Sequence, residues 1–349
     1  MSRRPQKEIR NVLVIKLGEL GEFVLALAAM ERIRQAHPKA RITLLTTPPF
    51  EALAKASPYF NAVETDGRPQ GPGGQIALIG RLRRAAYDRV YDLQCSPLTS
   101  LYFHLLGPKP PEWSGTALGA SHRHRLKARE ATHALERQAG QLQAAGVWPD
   151  APIKPGSAPP PDLSWILRKS SRAPGRGETR PFVVLVPGGA ANQTDRRWPI
   201  ERYAELAAVL KADGFEIVII GGPEESVLAR AIQRKANTRD LTGRTDFAQI
   251  AVLGATASLV VGNDTGPLHL LAAAGAPTLA LFSKSSDPVL QGPRGHVMVI
   301  QADDLAELPV VEVARICRHM TPMEKRAPPK ANSAANLAAH FSRPGANSN

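Results

Sequence analysis

The apolar positions of this chain form short continuous runs that alternate with longer stretches patterned at helical spacing. Near the start, Asn11–Lys16 predicts a strand and Glu22–Ala36 predicts a helix with one apolar face. Between them, Leu17–Gly21 predicts a loop; it is not G-x-G-x-x-G, so a dinucleotide fingerprint is not indicated. The alternation continues with predicted strands at 41–45 and 89–93 and predicted helices at 51–56, 76–86 and 132–145.

The same alternation repeats in the second part of the chain. Predicted strands lie at 182–186, 215–220, 259–261, 277–282 and 297–300. Predicted helices lie between them at 200–212, 226–235 and 246–253. Strands that alternate with helices indicate a parallel sheet covered on both faces, and the second part has the pattern of a six-stranded nucleotide-binding half.

Proline separates the two parts. The stretch 151–181 is rich in Pro, Gly, Lys and Arg, which predicts an interdomain linker with one helical turn around Leu163–Leu167. The predicted organisation is therefore a domain at 1–150, the linker, a second domain at 182–325 and a disordered tail at 326–349. We expect a cleft between the two domains, because ligands of open α/β sheets lie beyond the carboxyl ends of the strands.

One stretch of the second domain has the local pattern of an anion site. A short strand ends at Val261, a polar turn follows at Asn263–Gly266, and an apolar helix begins with Pro267 as an early position. Free N–H groups and the helix dipole would converge beside Thr265 and Gly266, which suits a phosphate. The alternative is an ordinary strand-to-helix turn capped by Asp264 or Thr265.

Composition narrows the class of partner. The 349 residues include 44 Lys+Arg and 31 Asp+Glu, a net charge of +13, which favours a nucleic acid, an anionic membrane surface or a phosphorylated substrate. An Arg-rich composition can also reflect a high-GC genome.

Cys95 and Cys317 lie too far apart in the sequence for metal-ligand spacing and indicate no disulfide framework. Without an apolar run of membrane-spanning length, we expect a cytoplasmic protein, with peripheral contact through Arg81–Arg84 or Arg123–Arg129.

Four segments occur in a characteristic order. They are Val-Ile-Lys-Leu-Gly-Glu-Leu-Gly-Glu at 14–22, Val-Pro-Gly-Gly-Ala at 186–190 with Arg-Arg-Trp-Pro at 196–199, Ile-Gly-Gly-Pro-Glu-Glu at 220–225, and Gly-Asn-Asp-Thr-Gly-Pro-Leu-His at 262–269. In these segments the chain, from about Asn11 to Arg318, resembles glycosyltransferase family 9, the ADP-heptose:lipopolysaccharide heptosyltransferases. The resemblance implies an α/β protein of GT-B architecture, with two doubly wound Rossmann-like domains facing across a cleft.

The resemblance also implies a reaction, the transfer of a heptose from ADP-heptose to a lipopolysaccharide inner-core or lipid A acceptor at the cytoplasmic membrane face. In the second domain it assigns the donor to the following residues: Gly188, Gly189, Arg196, Glu225, Asp264, Thr265, Gly266 and His269. Thr265 and Gly266 would hold the diphosphate, Arg196 would pair with it as it leaves, and Glu225 would bind the ribose.

Each donor residue has a structural alternative. Arg196 and Arg197 could be a solvated loop pair, and Glu225 could be a first-turn helix charge. Asp264, an anion, would repel phosphate, so we expect it to cap the turn or orient the sugar. A packed, hydrogen-bonded His269 is expected more than a catalytic one.

In the first domain the resemblance places the acceptor and the base. Glu22 stands where the resemblance implies an Asp that deprotonates the acceptor hydroxyl. Glu19, in the same loop, could act as the base in its place. Alternatively, both residues could be only charges at a helix N-terminus. Lys16, Gly21, Arg123 and Arg125 are the expected acceptor-binding residues. As the last residue of a buried strand, Lys16 could instead snorkel to solvent. The Arg-rich run that contains Arg123 and Arg125 could equally be a solvated face or a nonspecific nucleic-acid patch.

No metal or cofactor is expected, because Arg196 and the helix dipole supply the positive charge and the sequence has no D-x-D motif. The resemblance implies that the acceptor hydroxyl displaces ADP directly from the heptose. This function has two kinds of alternative. The enzyme could use another nucleotide sugar or a glycan other than lipopolysaccharide. The chain could also be a non-catalytic protein that binds a nucleotide sugar or nucleic acid, although no specific nucleic acid is expected.

Overall fold

The computed structural model describes residues 8–124, 132–149, 151–169, 181–189 and 194–321. It divides the chain into two compact units, Met1–Pro161 and Asp162–Asn349. The linker and domain bounds drawn from the sequence stay predictions, and the predicted tail at 326–349 lies outside the described residues.

The first unit is a parallel sheet with the strand order β3-β2-β1-β4-β5-β6. Its strands are β1 (Asn11–Ile15), β2 (Arg41–Leu45), β3 (Ala62–Glu64), β4 (Arg89–Asp92), β5 (Glu112–Gly115) and β6 (His122–Arg123). Its helices are α1 (Leu20–Ala36), α2 (Glu51–Ala56), α3 (Gly71–Ala85), α4 (Pro97–Leu105) and α5 (Ala134–Ala144). The apolar residues of β1 are fully buried, as expected for a central strand covered on both faces.

The second unit repeats the plan with the strand order β12-β11-β10-β7-β8-β9, again all parallel. Its strands are β7 (Phe182–Val186), β8 (Glu216–Ile219), β9 (Arg239–Asp240), β10 (Leu259–Asn263), β11 (Thr278–Ser283) and β12 (Val297–Ala302). Its helices are α6 (Ser164–Lys169), α7 (Ile200–Ala212), α8 (Ser226–Gln233), α9 (Phe247–Thr256), α10 (Gly266–Ala273), α11 (Pro288–Gln291) and α12 (Val310–Met320). The predicted α/β class and the six-stranded second half are confirmed.

Two local differences from the sequence expectations affect the first unit. Helix α1 begins at Leu20, so Gly21 lies inside the helix and not in the predicted loop. Helix α3 begins at Gly71 and not at Ile76, because Pro72 is well placed in a first turn, where its missing N–H has no partner to lose. No helix in the described ranges is long and apolar enough to cross a membrane.

Candidate functional site

In the second unit, a buried asparagine ties together the loops that follow two strands. Asn263 ends β10 and is 1% exposed. Its side-chain oxygen accepts from the Trp198 backbone N–H and the Tyr203 hydroxyl, each at 3.0 Å. Its amide nitrogen donates to the carbonyl oxygens of Pro187 at 2.9 Å and Gly188 at 3.1 Å. Because all these bonds are buried, Asn263 fixes the glycine loop after β7 against the turn that opens α10.

Glu225 joins the same glycine loop to the loop after β8. Its carboxylate accepts the N–H of Gly189 at 2.9 Å and the N–H of Gly222 at 2.7 Å. It lies in a short 3-10 helix, Pro223–Glu225, just before α8. The carboxylate therefore bridges two loops at the carboxyl edge of the sheet, and as an acidic residue of a first helical turn it also fits the structural alternative. Its predicted ribose contact stays a prediction.

Gly188 gives this carboxylate its space, and we expect Gly188→Ala to displace it. A Cβ at Gly188 would lie 1.5 Å from Glu225 Oε1, and the flexible glutamate would move away and lose both backbone hydrogen bonds. We expect the affinity for ADP to fall about tenfold, the scale of one lost charge-assisted hydrogen bond, and to fall no further when Glu225→Ala is added. Calorimetric titration with ADP measures this.

The control for that variant is Gly80→Ala, in helix α3 of the first unit, where the nearest heavy atom to a new Cβ is 3.6 Å away. ADP affinity that is unchanged in Gly188→Ala would show that Glu225 does not support nucleotide binding.

The turn before α10 has the predicted order of strand, turn and helix, but it is shorter than predicted. Strand β10 continues past Val261 to Asn263, Thr265 is the N-cap residue, and α10 begins at Gly266 with Pro267 as an early helical position. The Thr265 side chain makes no capping hydrogen bond, and its buried Oγ1 atom has no partner within the described part of the chain. Thr265 therefore occupies the N-cap position without capping the helix through its side chain. A hydroxyl and the N–H groups of the first turn converge there, which suits an anion.

Arg196 lies beside this turn. It ends the 3-10 helix Thr194–Arg196, donates to the Ser285 carbonyl oxygen at 2.9 Å, and its guanidinium is 3.7 Å from the Asp264 carboxylate. Burial raises the pKa of Asp264, and the nearby charge of Arg196 partly offsets this. Arg197 donates to the Gly189 carbonyl oxygen. Because both guanidiniums bind backbone carbonyls and neither residue is fully exposed, a solvated loop pair does not describe them.

His269 lies one turn into α10 and is 6% exposed. Its burial fits the expectation of a packed histidine. A role in donor binding stays a prediction.

In the first unit, Lys16, an expected acceptor residue, forms an ion pair with Glu22, the expected base. The Lys16 ammonium donates to Glu22 Oε2 at 2.7 Å. The Lys16 side chain is only 3% exposed, so the snorkelling alternative is wrong, whereas the Glu22 side chain is 43% exposed. Glu22 lies in the first turn of α1, and its carboxylate is held by a cation while remaining open to solvent. A general base needs this combination of order and access.

Lys16 and Glu22 line one pocket that opens to solvent. Its polar wall includes Gln94, Cys95, Thr116, His124, Arg137, Gln138 and Gln141. Glu19 is exposed and does not line this pocket. Arg123 Nε donates to the Thr116 carbonyl oxygen at 3.4 Å, and Arg123 does not line the pocket either. Arg125 lies outside the described residues. Arginines dominate this basic run in the sequence, and no pattern there distinguishes His124 as a pocket residue.

Asp92, another residue that the sequence analysis missed, ends β4 beside this pocket. It is fully buried, and its Oδ1 atom accepts the N–H groups of Gln94 at 3.1 Å and Cys95 at 2.9 Å. Burial raises its pKa to about 6, although hydrogen bonds from Cys95, Thr99 and Gln94 and the Lys16 charge act in the opposite direction. Near neutral pH, the chain therefore keeps a buried carboxylate in its unfavourable charged form.

The raised pKa gives a stability prediction for Asp92→Asn. The folded wild type holds the Asp92 proton up to about pH 6, whereas the unfolded chain releases it near its ordinary value of 3.8. The free energy of unfolding of the wild type is therefore expected to fall by a few kcal/mol relative to that of the variant as pH rises from about 4 to 6. Above pH 6 the difference should stay constant. Urea unfolding of both proteins across this range measures the difference. A gap that is independent of pH would contradict the raised pKa.

The basic cluster expected at a membrane is partly neutralised. Arg81 pairs with Glu64 at 3.0 Å and also with Asp66, and Arg83 donates to the Leu105 carbonyl oxygen. Peripheral membrane contact stays a prediction. Within the described ranges, no group of three His, Cys, Asp or Glu side chains is placed to hold a metal ion.

A family model and the curated relatives both match this chain to the same family. A family model described as glycosyltransferase family 9 (heptosyltransferase) matches residues 75–314. The chain is 26% identical over 312 residues to lipopolysaccharide heptosyltransferase 2 of Escherichia coli (strain K12), covering 82% of this chain and 86% of that protein.

Solved structures extend the likeness to the fold. The structure of E. coli ADP-heptose LPS heptosyltransferase II has a TM-score of 0.73 and 23% identity, covering 90% of this chain and 99% of that one. The structure of E. coli heptosyltransferase WaaC with ADP has a TM-score of 0.71 and 20% identity, covering 89% and 99%. The predicted GT-B architecture is thereby confirmed.

Proposed function

Because the chain belongs to glycosyltransferase family 9, the heptosyltransferases, we propose that it transfers a heptose from ADP-heptose to a lipopolysaccharide inner-core acceptor. Two features support this: the curated relative named above acts on lipopolysaccharide, and one related structure holds ADP. The observation that carries the proposal is the turn before α10. There the Thr265 hydroxyl, which has no partner among the described residues, and the helix N-terminus lie beside Arg196.

The donor diphosphate would lie at this turn. Thr265 Oγ1 donates to one phosphate oxygen, and the N–H groups of Gly266 and its neighbours face the same charge. Arg196 is within reach of the leaving ADP, and its attraction grows as the bond to the sugar breaks and negative charge accumulates on the diphosphate. Asp264 holds the Arg196 guanidinium and orients the sugar, and Glu225 binds the ribose while joining the two glycine loops.

Transfer is a single displacement. Glu22 accepts the proton of the acceptor hydroxyl as its oxygen attacks the anomeric carbon, and ADP leaves with the electron pair of the broken bond. Lys16 keeps the Glu22 carboxylate oriented through the contact of 2.7 Å. The pocket beside this pair, with Arg137 and the amide side chains Gln138 and Gln141, suits a hydroxyl-rich acceptor that carries anionic groups.

Metal removal gives a direct prediction. Because Arg196 and the N-terminus of α10 supply the positive charge at the diphosphate, transfer in excess EDTA should stay within about twofold of the untreated rate. A large loss that Mg²⁺ or Mn²⁺ restores would mean that the leaving diphosphate is neutralised by a metal ion.

The donor is tested with a panel of nucleotide sugars at equal concentration. We expect transfer from ADP-heptose to a truncated inner-core acceptor to exceed transfer from ADP-glucose and UDP-glucose by at least about tenfold. If another donor is preferred, the protein is still a glycosyltransferase, but the transferred sugar is not heptose. Binding of ADP-heptose without transfer to any acceptor would favour the non-catalytic alternative.

A further inference from the structure

Two polar atoms of the pocket that Lys16 and Glu22 line have no hydrogen-bond partner among the described residues. One is Oε1 of Gln138, a residue that is only 9% exposed, and the other is Nε2 of His124. Both atoms are buried, and both residues line the pocket. A buried polar atom without a partner costs stability, so few remain in a folded protein. Two such atoms in one pocket point to a ligand that supplies their hydrogen bonds.

A second glutamine of the same pocket has its amide fully used by the fold. Gln141 follows Gln138 by three positions on α5, so the two side chains lie on one face of the helix. Gln141 Nε2 donates to the carbonyl oxygens of Asp92 at 2.9 Å and Ser114 at 3.1 Å, which joins α5 to β4 and β5. Within the described ranges, Gln138 Oε1 makes no comparable contact. Burial alone therefore does not account for a glutamine at position 138.

The ring of His124 is held against the same helix. Its backbone N–H donates to the Gly115 carbonyl oxygen at 2.8 Å, and a Cβ added at Gly140 of α5 would lie 3.3 Å from the imidazole Cε1. Burial and the nearby charge of Arg137 lower the pKa of His124, so the ring is neutral near pH 7. Each nitrogen of a neutral imidazole either donates or accepts, depending on the tautomer. A hydroxyl group, which does both, is a suitable partner for Nε2.

The same pocket contains the proposed base. The Glu22 carboxylate is 43% exposed and lines the pocket together with Gln138 and His124. The last torsion of a glutamine side chain is soft, so a small rotation turns Oε1 from the pocket wall towards a ligand. An acceptor sugar whose reacting hydroxyl lies at Glu22 would present its other hydroxyls to this wall.

We infer that Gln138 and His124 determine which acceptor is used, by binding two hydroxyl groups of the acceptor other than the one that reacts. Gln138 Oε1 accepts a hydrogen bond from one hydroxyl, and His124 Nε2 shares one with a second. Because Glu22 is the proposed base, this role rests on the proposed function. A site built to pair with a hydroxyl rejects an analogue that leaves its buried groups unpaired. The pocket therefore selects a sugar that keeps free hydroxyls beside the reacting one.

Gln138→Met tests this role, because it removes the amide and keeps a long, unbranched side chain of good helix propensity. The probe is a truncated lipopolysaccharide inner-core acceptor, titrated calorimetrically into protein that is saturated with ADP. We expect its Kd to rise about tenfold, the scale of one buried hydrogen bond, while the affinity for ADP stays unchanged. His124→Phe, which keeps a ring and removes both nitrogens, should weaken acceptor binding by a similar factor.

Gln143→Met is the matched control for acceptor binding. Gln143 also lies on α5, but it does not line the pocket, and its amide donates to the carbonyl oxygens of Pro149 and Ala151, each at 2.8 Å. Its substitution should leave the Kd of the acceptor unchanged. Equal acceptor affinity in Gln138→Met and Gln143→Met would overturn the inference and leave the proposed function intact.

The thermal stability of the acceptor-free protein separates a binding role from a structural one. Gln138→Met replaces an unpaired amide oxygen with an apolar group, so the melting temperature should rise by about 2 to 4 °C. Gln141→Met breaks the bonds to Asp92 and Ser114 and should lower it. If Gln138→Met melts at or below the temperature of the wild type, the fold already satisfies this amide and the inference is wrong.

The binding assay also separates this inference from the proposed function. It needs no transfer, so it gives the same answer if the donor sugar is not heptose. Wild-type protein that binds no inner-core acceptor would contradict the proposed function, and the assignment of the two hydroxyls would fail with it.

Discussion

Glu22→Gln is expected to lower the single-turnover rate of sugar transfer by about 10²- to 10⁴-fold, the contribution of a general base, while ADP binds as tightly as before. The glutamine keeps the size of the side chain and loses its ability to accept a proton. The nucleotide is expected to be unaffected, because every donor residue proposed here lies in the second unit and Glu22 lies in the first.

Glu22→Asp adds a second comparison, because Asp is the residue that the family resemblance implies at this position. The shorter side chain gives up the contact of 2.7 Å with Lys16 unless helix α1 shifts. We expect a partial loss of rate that stays well above the rate of the glutamine variant. Glu19→Gln is the control, since Glu19 is exposed and does not line the pocket. A collapse in that variant with normal transfer in Glu22→Gln would make Glu19 the base.

Arg196→Met is expected to lower kcat about 10²- to 10³-fold, as for removal of a donor that stabilises charge in the transition state. Methionine keeps most of the apolar stem and removes the guanidinium, which lies 3.7 Å from Asp264 and beside the turn of α10. The KM for the donor should change much less than kcat, because negative charge on the ADP grows as it leaves.

The matched control for Arg196→Met is Arg202→Met. Arg202 also donates to a backbone carbonyl oxygen of the second unit, that of Ala306 at 2.7 Å, and lies on helix α7. Its removal should leave kcat unchanged. Equal losses in the two variants would mean that the effect comes from a lost structural contact, and a rise in KM alone would mean that Arg196 only binds the donor.

The sequence predicted the parts of the fold that depend on long apolar patterns. The buried runs that became β1, β7 and β10 and the periodic helices between them are local signals, because burial on both faces of a strand requires continuous apolar residues. Strands β3 and β6, with three and two residues, are too short to carry such a pattern. Helix α3 was placed late because its first turn, Gly71–Gly74, has the composition of a loop.

The parts of the candidate site that are built from consecutive residues were predictable from the sequence. The parts that depend on contacts between residues far apart in the sequence were not. The strand-turn-helix at Thr265 is local, and the structure reproduces it. Asn263 was missed as an organising residue because its partner Trp198 lies far away in sequence. Asp92 was missed because its complete burial depends on how the sheet is packed. The pairing of Lys16 with Glu22 needed the observed burial, since a lysine at a strand end fits solvent equally well.

The most direct test of the account is single-turnover transfer of labelled heptose from ADP-heptose to a truncated lipopolysaccharide acceptor, with wild type and Glu22→Gln measured side by side. If Glu22 is the base of a heptosyl transfer, the wild type transfers efficiently, transfer collapses in the variant, and both bind ADP with equal affinity. Wild-type protein that binds ADP-heptose and transfers nothing, or a variant that transfers at the wild-type rate, would contradict it.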